Sequence, residues 1–364
     1  MLAATRKTQQ RPNPLPAKQP IQPEPWTLHL LGLVNPALVI AGNVLGDSTV
    51  LLGVVFMLVI GPCLDWVCGE TRDPKPPSAN GEGFEGLLRA HAMLQLIAVG
   101  TLLYRAGVDG PAWTTWVAAL STGLCSGASG IIVAHELGHR RRSWLPDTLR
   151  RLCLGSALYG HFTTEHNHTH HKHVATTADP ASARRDESLW AFVVRTIPAQ
   201  FIGAWIVHER KGRSGLRNPV GHGLVTALAG LSILYGAFGL WTLCAFLVQA
   251  GFAVFLLEYI NYIRHYGLER QPGERVRSDH AWQSEARWSR WTLLELTRHP
   301  AHHLRASSPY WQLRPCTDAP SLPSGYYGCF WLAVIPPLWR RIVHSRIPPA
   351  PETGKASLTE PPAQ

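Results

Sequence analysis

Six runs of the chain are apolar enough and long enough to cross the hydrocarbon core of a bilayer, and they leave few other folds open. They lie near 27–46, 48–68, 87–107, 112–134, 220–241 and 243–263. A helix needs about 20 apolar residues to span about 30 Å of hydrocarbon. Backbone in lipid must bond to itself, so runs of this length form helices. The expected class is therefore an all-α membrane protein with about six transmembrane helices. Shorter or amphipathic segments near 147–160 and 187–210 are expected to lie in the interface. A short apolar helix near 328–343 carries Ile335-Pro336-Pro337 and is a poor spanning candidate. Residues 1–26 and 346–364 read as disordered tails around a single membrane domain, 27–345.

The formal net charge is +10. A nucleic-acid partner is not the reason for it, because the basic residues sit in loops beside the apolar runs. The connection at 105–112 carries only Arg105, and those near 46–48 and 240–243 carry neither Lys nor Arg. The tail before residue 27, the loop from 139 to 219 and the end after 264 hold nearly all the rest. The positive-inside rule then places both termini and every long loop on the cytoplasmic side of the plasma (inner) membrane. Seven cysteines form no CxxC pair, which fits a reducing compartment and excludes cysteine metal-ligand spacing. Residues 1–25 lack the early apolar core of a signal peptide.

Histidine dominates the inner loops. The stretch from His135 to His173 holds eight of the 18 histidines. Three groups share one spacing: His135-x3-His139, His166-x3-His170-His171 and His299-x2-His302-His303. Residues three or four apart share a helix face, so each group can aim two imidazoles at one point. The adjacent third imidazole is offset by about 100° and suits a second ion. His265 ends the sixth run, with Asn261 and Glu258 on its helical face. A carboxylate inside a span is costly and functional by default. Glu258 or Asn261 is thus a candidate to orient a ligand or line a proton path. Asp65, at the end of the second run, is weighed likewise. His168 and His173 are out of register with the spacing, and His161 is a candidate to support a ligand.

His135-Glu136-x-x-His139 is also the signature of zinc peptidases, with Glu as general base. Those enzymes need one or two further ligands, and this chain offers about seven more. Nitrogen-rich ligation suits Zn, Fe, Ni or Cu alike, so the residues alone do not choose the metal. The position of the site does constrain its substrate. A molecule reaching it from apolar helices is a greasy chain or ring.

The chain resembles the integral-membrane alkane 1-monooxygenases, relatives of membrane fatty-acid desaturases and of xylene monooxygenase. The resemblance is carried by His135-Glu-Leu-Gly-His139, Tyr159-Gly-His-Phe-Thr-Thr-Glu-His-Asn-His-Thr-His-His171, Asp179-Pro-Ala-Ser182, Asn261-Tyr-Ile-Arg-His-Tyr-Gly-Leu268, Arg298-His-Pro-Ala-His-His303 and Asp318-Ala-Pro-Ser-Leu-Pro-Ser-Gly325. It implies a di-iron site held by His135, His139, His166, His170, His171, His265, His299, His302 and His303. It implies hydroxylation of a terminal methyl carbon by O2 and two electrons. The donor would be a rubredoxin or ferredoxin-type protein with an NADH-dependent reductase, and an Arg-rich inner face suits an acidic partner. A desaturase or aromatic-methyl hydroxylase on the same scaffold is the alternative. Three departures stand out: Thr169 for the usual Gly, Arg264 for Glu, and Pro300-Ala301 for Ser-Asp. Phe56 is the residue expected to plug the substrate tunnel.

Overall fold

The computed structural model describes residues 23–71, 74–140, 143–271 and 273–349. Most of the two tails expected to be disordered lies outside them. The described residues hold no strand, only two isolated bridges, Glu70 with Ala286 and Gln283 with Ser321. The membrane part is built from α1 (Trp26–Leu45), α2 (Asp47–Cys68), α3 (Glu82–Asp109), α4 (Trp113–Gly138), α7 (Leu189–Glu209) and α8 (Pro219–His265), each long and apolar enough to cross a bilayer. Between α4 and α7 lie α5 (Trp144–Ser156) and α6 (162–173). The C-terminal part adds α9 (Arg287–Thr292), α10 (His299–Leu304), α11 (Tyr326–Ala333) and α12 (Pro336–Val343). The chain is a multi-pass membrane protein.

Six long apolar elements are present. The last two expected spans both lie within α8, two helices joined across a kink at Gly239, whose φ of 81° is left-handed. Glycine accepts that conformation without a Cβ penalty, so the break falls there rather than at residue 242. Helix α7, expected in the interface, also has the length and composition of a span. Its contacts run across α8: Trp190 stacks on Phe255 and Phe192 packs on Tyr262. Gln200, more than two turns later, still reaches Glu258. The segment expected as one helix at 328–343 is two, α11 and α12, split at the prolines that cannot continue a helix.

Small and polar residues set how closely the spans approach. A Cβ on Gly123 would lie 2.7 Å from Gln249 O, and one on Gly127 would lie 2.8 Å from a Leu256 methyl. Close approach of this kind replaces the hydrophobic drive that lipid removes. Side chains on one face of α4 then bond across the bundle: Thr122 to Asn43 at 3.1 Å, Ser126 to Gln249 at 2.9 Å, Ser129 to His91 at 3.1 Å. At the far end, Arg105 donates to the carbonyls of Asn43 and Val44 at 2.8 Å each and pairs with Asp109, closing the C-terminus of α1.

A buried ion network fixes the C-terminal part against one end of the spans. Arg290 bonds Glu295 at 2.8 Å and Glu24 at 2.6 Å, and Arg298 grips Glu285 with two 2.8 Å bonds. Between them Leu294 and Glu295 hold left-handed φ values of 52° and 53°. Non-glycine residues adopt these only where surroundings impose them. Here the ion pairs do so, and the strained turn delivers the chain into α10.

Candidate metal centre

Nine histidines meet at the C-terminal ends of α4 and α8. His135 and His139 leave the end of α4, His265 is the last residue of α8, and α6 and α10 supply the rest. Their nitrogens form two groups, His135, His139, His166 and His302 in one and His170, His265, His299 and His303 in the other. Within each, one ligand atom per residue lies within 4.8 Å of all the others. His171 stands between the groups, its Nε2 3.1 Å from that of His166 and 3.2 Å from that of His302.

Local helix geometry decides which histidine faces which group. His135 and His139 behave as the spacing predicts. The group at 166–171 does not. Residues His166–His170 form a π-helical turn, in which i and i+5 stack instead of i and i+4. His166 therefore pairs with His171, while His170 turns to the second group. In α10 the pair sharing one point is His299 and His303, with Nε2 atoms 2.8 Å apart, and His302 crosses to the first group. The expected pair 166/170 is corrected accordingly, while 299/303 is one of the two pairs that the spacing allows.

The residues fit a pair of metal ions. Two nitrogens on one ion at about 2.0–2.1 Å lie about 2.9–3.4 Å apart for angles from right to tetrahedral. The observed separations include 3.1 Å for His265 and His299 as well as those above. Nε2 of His135, His139 and His170 is buried without a partner. Such atoms are rare unless something unseen satisfies them. Burial, with help from neighbouring charge, pushes the His139 imidazole down to about 4 and that of His171 to about 2. His166, His299, His302 and His303 fall well below the ordinary value for the same first cause. At neutral pH these imidazoles are uncharged, with lone pairs free for a metal.

Support comes from residues the spacing did not single out. Asp179 accepts from His170 Nδ1 at 2.8 Å and is itself held by Ser182 Oγ at 2.6 Å and Ala181 N at 3.0 Å. A carboxylate on the far nitrogen fixes the tautomer and turns the near one toward a metal. The carbonyl of His280 does the same for His265 Nδ1 at 3.2 Å. The only hint of Asp179 was its place in the Asp179-Pro-Ala-Ser182 stretch.

Glu258 and Asn261 bond each other at 3.1 Å, and Glu258 also accepts from Tyr159 and Gln200. Neither side chain hydrogen-bonds a histidine. Asp65 accepts from Ser289 N and Oγ and from the backbone of Tyr327 and Gly328, at 2.8–3.1 Å. It pins α2 to α9 and to the start of α11, away from the imidazoles. His161 packs beside Tyr159 and Phe201, outside both groups. His168 and His173 are outside as well. Glu136 accepts from Arg140 at 2.8 Å and from Tyr310 N at 3.2 Å. Held in this way, and beside two four-histidine groups, it does not match the free general base of a zinc peptidase.

An apolar cavity adjoins the histidines. Ile132 borders it and also borders a smaller one lined by His135, His299 and His302. Two further π-helical turns wall the larger cavity, Phe56–Ile60 through Met57 and Leu58, and Ser126–Ile131 through Gly127 and Ala128. Phe56 itself is not in its lining; it turns away to meet Trp288 edge-on at 6.1 Å.

The sequence profile named Fatty acid desaturase matches residues 111–333. Alkane 1-monooxygenase 1 of Pseudomonas aeruginosa is 37% identical over 319 residues, 81% of this chain and 82% of the relative. Alkane 1-monooxygenase of Ectopseudomonas oleovorans is 31% identical over 342 residues, 88% of this chain and 85% of the relative. The xylene/toluene monooxygenase hydroxylase component of Pseudomonas putida is 32% identical over 236 residues, 62% of each chain.

Proposed function

The chain belongs to the alkane 1-monooxygenase family of membrane oxidoreductases, within the fatty acid desaturase superfamily, and from that membership we propose that it hydroxylates alkyl chains at the terminal carbon. The reaction is R–CH3 + O2 + 2 e− + 2 H+ → R–CH2OH + H2O. Iron held by the nine histidines would supply the reduction of O2 and the insertion of one oxygen atom into a C–H bond. The electrons would come from a separate rubredoxin or ferredoxin-type protein and its NADH-dependent reductase. By the distribution of Lys and Arg, the site and both termini face the cytoplasm of an inner-membrane protein.

The observation that carries this reading is the apposition of a nitrogen-only double site and an apolar cavity entered from among the spans. The protein's own residues have distinct tasks in it. The two groups present eight imidazoles, with His171 between them as a ninth. Asp179 and the His280 carbonyl hold His170 and His265 in their tautomers. Leu256, Ile260 and Phe330 line the apolar cavity and bind the chain by burial alone. Nothing in that lining would select an alkane over a long-chain methyl arene, so an aromatic-methyl hydroxylase is the second reading.

Membranes containing the protein, supplied with NADH, rubredoxin, its reductase and a series of n-alkanes, should yield 1-alkanols by gas chromatography. Alkenes or benzylic alcohols as the sole products would favour the alternatives. His139→Ala should abolish iron loading and activity while membrane insertion persists; full activity in that variant refutes the ligand assignment.

A further inference from the structure

The apolar cavity has one outward side. Every residue of its lining is buried except Leu58, Ile260 and Phe330, which are half-buried. These three come from α2, α8 and α11, so the cavity reaches the surface where those elements meet. Around that point Val59, Ile60 and Trp331 are exposed. On a multi-pass membrane protein such an apolar surface faces lipid tails, which are as apolar as leucine. Leu58 lies ten residues before Cys68, the last of α2, about 15 Å along the axis. The opening is therefore within the depth of the span and not at its end.

Of the four aromatic side chains in the lining, one is held by packing alone. Tyr259 donates its hydroxyl to Tyr326 O, Tyr326 Oη accepts from Arg264 Nε at 3.1 Å, and Tyr327 Oη is 3.0 Å from Thr292 Oγ1. Phe330 has no hydroxyl to tie it. Its ring stands edge-on to Tyr259 at 5.2 Å and to Phe255 at 6.5 Å. The helix that carries it is fixed to α2. Asp65 accepts from Tyr327 N and Gly328 N at 3.1 Å each, and a Cβ on Gly61 would lie 2.6 Å from the Tyr327 ring. Trp331, beside Phe330, donates Nε1 to Leu58 O at 2.6 Å. Four residues after Leu58 stands Pro62, which has no N–H. The usual helical partner of that carbonyl is missing, and Trp331 takes its place. A rigid frame thus surrounds an untied ring, and rotation of that ring is the motion left.

We propose that Phe330 is the gate between the bilayer and this cavity, and that it sets the cross-section of the alkyl group admitted. With the ring turned aside, Leu58 and Ile260 bound the gap, and both belong to long helices that do not yield with it. The gap passes an unbranched chain end and stops a cage or a quaternary carbon. The end that enters first runs past Leu256 and Ala128 to Ile132, which also borders the histidine-lined cavity. A straight chain so presents its leading methyl to the histidines, while a branched end is left at Phe330. Preference for unbranched ends is set at the entrance, before the chain reaches the metal centre. This rests on reading the cavity as the alkyl site.

The test is photolabelling of the full chain in membranes, without O2 or reductant, by a straight-chain alkyl diazirine and by adamantane diazirine, a compact cage. Label on Leu124, Ala128 and Leu256 is read by mass spectrometry, because these buried wall residues are reached only from inside the cavity. Competition by n-dodecane shows that the label is saturable. In the wild type the straight-chain probe should label these walls and the cage should not. Phe330→Ala should admit the cage, and Phe330→Leu should admit it less. Straight-chain labelling retained in each variant shows that the cavity is intact. Equal labelling of the wild-type walls by both probes overturns the proposal without any variant. So does a cage still excluded from Phe330→Ala while the straight chain enters. No straight-chain label on these walls in the wild type would instead sink the alkyl-site reading, and this proposal with it.

Discussion

Asp179 shows what a single residue contributes beyond the ligands themselves. Its carboxylate is buried, held by Ser182 and the Ala181 amide, and spends its remaining capacity on His170 Nδ1. Losing such a partner costs about 10–100-fold in metal affinity. Asp179→Asn should therefore release metal from the second group at lower chelator concentration than the wild type, with the first group retained; metal analysis after graded dialysis reads this, and equal retention in both groups would contradict it. The histidines also set a pH dependence. Their folded values are depressed, to about 4 for His139, while an exposed histidine titrates near 6.5. The unfolded chain then binds protons that the folded chain refuses. Stability of the metal-free protein is fully present above about 6.5 and is lost as pH falls toward about 4. Melting temperatures at pH 7.5, 6.0 and 5.0 should fall in that order. The three histidine groups were legible as candidates, because their repeated spacing has no use on a solvated loop; His265 stood out only by its place at the end of a span and by the family resemblance. The role of Asp179 was not, since a carboxylate nine residues from its imidazole leaves no periodic trace.

At the scale of elements, the three π-helical turns are the departures that matter. Two wall the apolar cavity and the third divides His166, His170 and His171 between the groups. A π turn is an α-helix with one extra residue. Deleting Thr169, whose side chain is not a ligand, should restore α geometry and rotate His170 and His171 by about 100° relative to His166. The deletion should load less than half the wild-type metal while remaining inserted; unchanged loading would show that the turn is incidental. Nothing in residues 166–170 announces a π turn, so the sequence led to the wrong pairs. Composition did reveal the apolar helices. It could not place the kink at Gly239, where one left-handed residue decides, and it set α7 apart from the spans as amphipathic, although Arg195 is the one charged residue in the middle of it. That arginine is answered within the structure by Glu187 at 2.7 Å and by the carbonyls of Pro180 and Ser182. The prolines at 336 and 337, by contrast, divided α11 from α12 as their chemistry requires.

The whole molecule is a membrane bundle with a C-terminal part packed against one end. Asp65 clamps α2 to α9 and α11 so closely that a Cβ on Gly325 would lie 2.3 Å from its oxygens. The ion network of Arg290 and Arg298 holds the strained turn before α10, and α10 brings three histidines to meet those of α4, α6 and α8. Residues 135 and 303 are far apart in sequence, and only this closure unites them. The account therefore stands on the metal content of the closed molecule. Iron and zinc should be counted per chain in the purified, detergent-solubilised protein, with X-ray absorption at the metal edge to identify the donor atoms. Two irons per chain, each in a shell of nitrogen and oxygen with no sulfur, is the predicted result; one zinc per chain would contradict it.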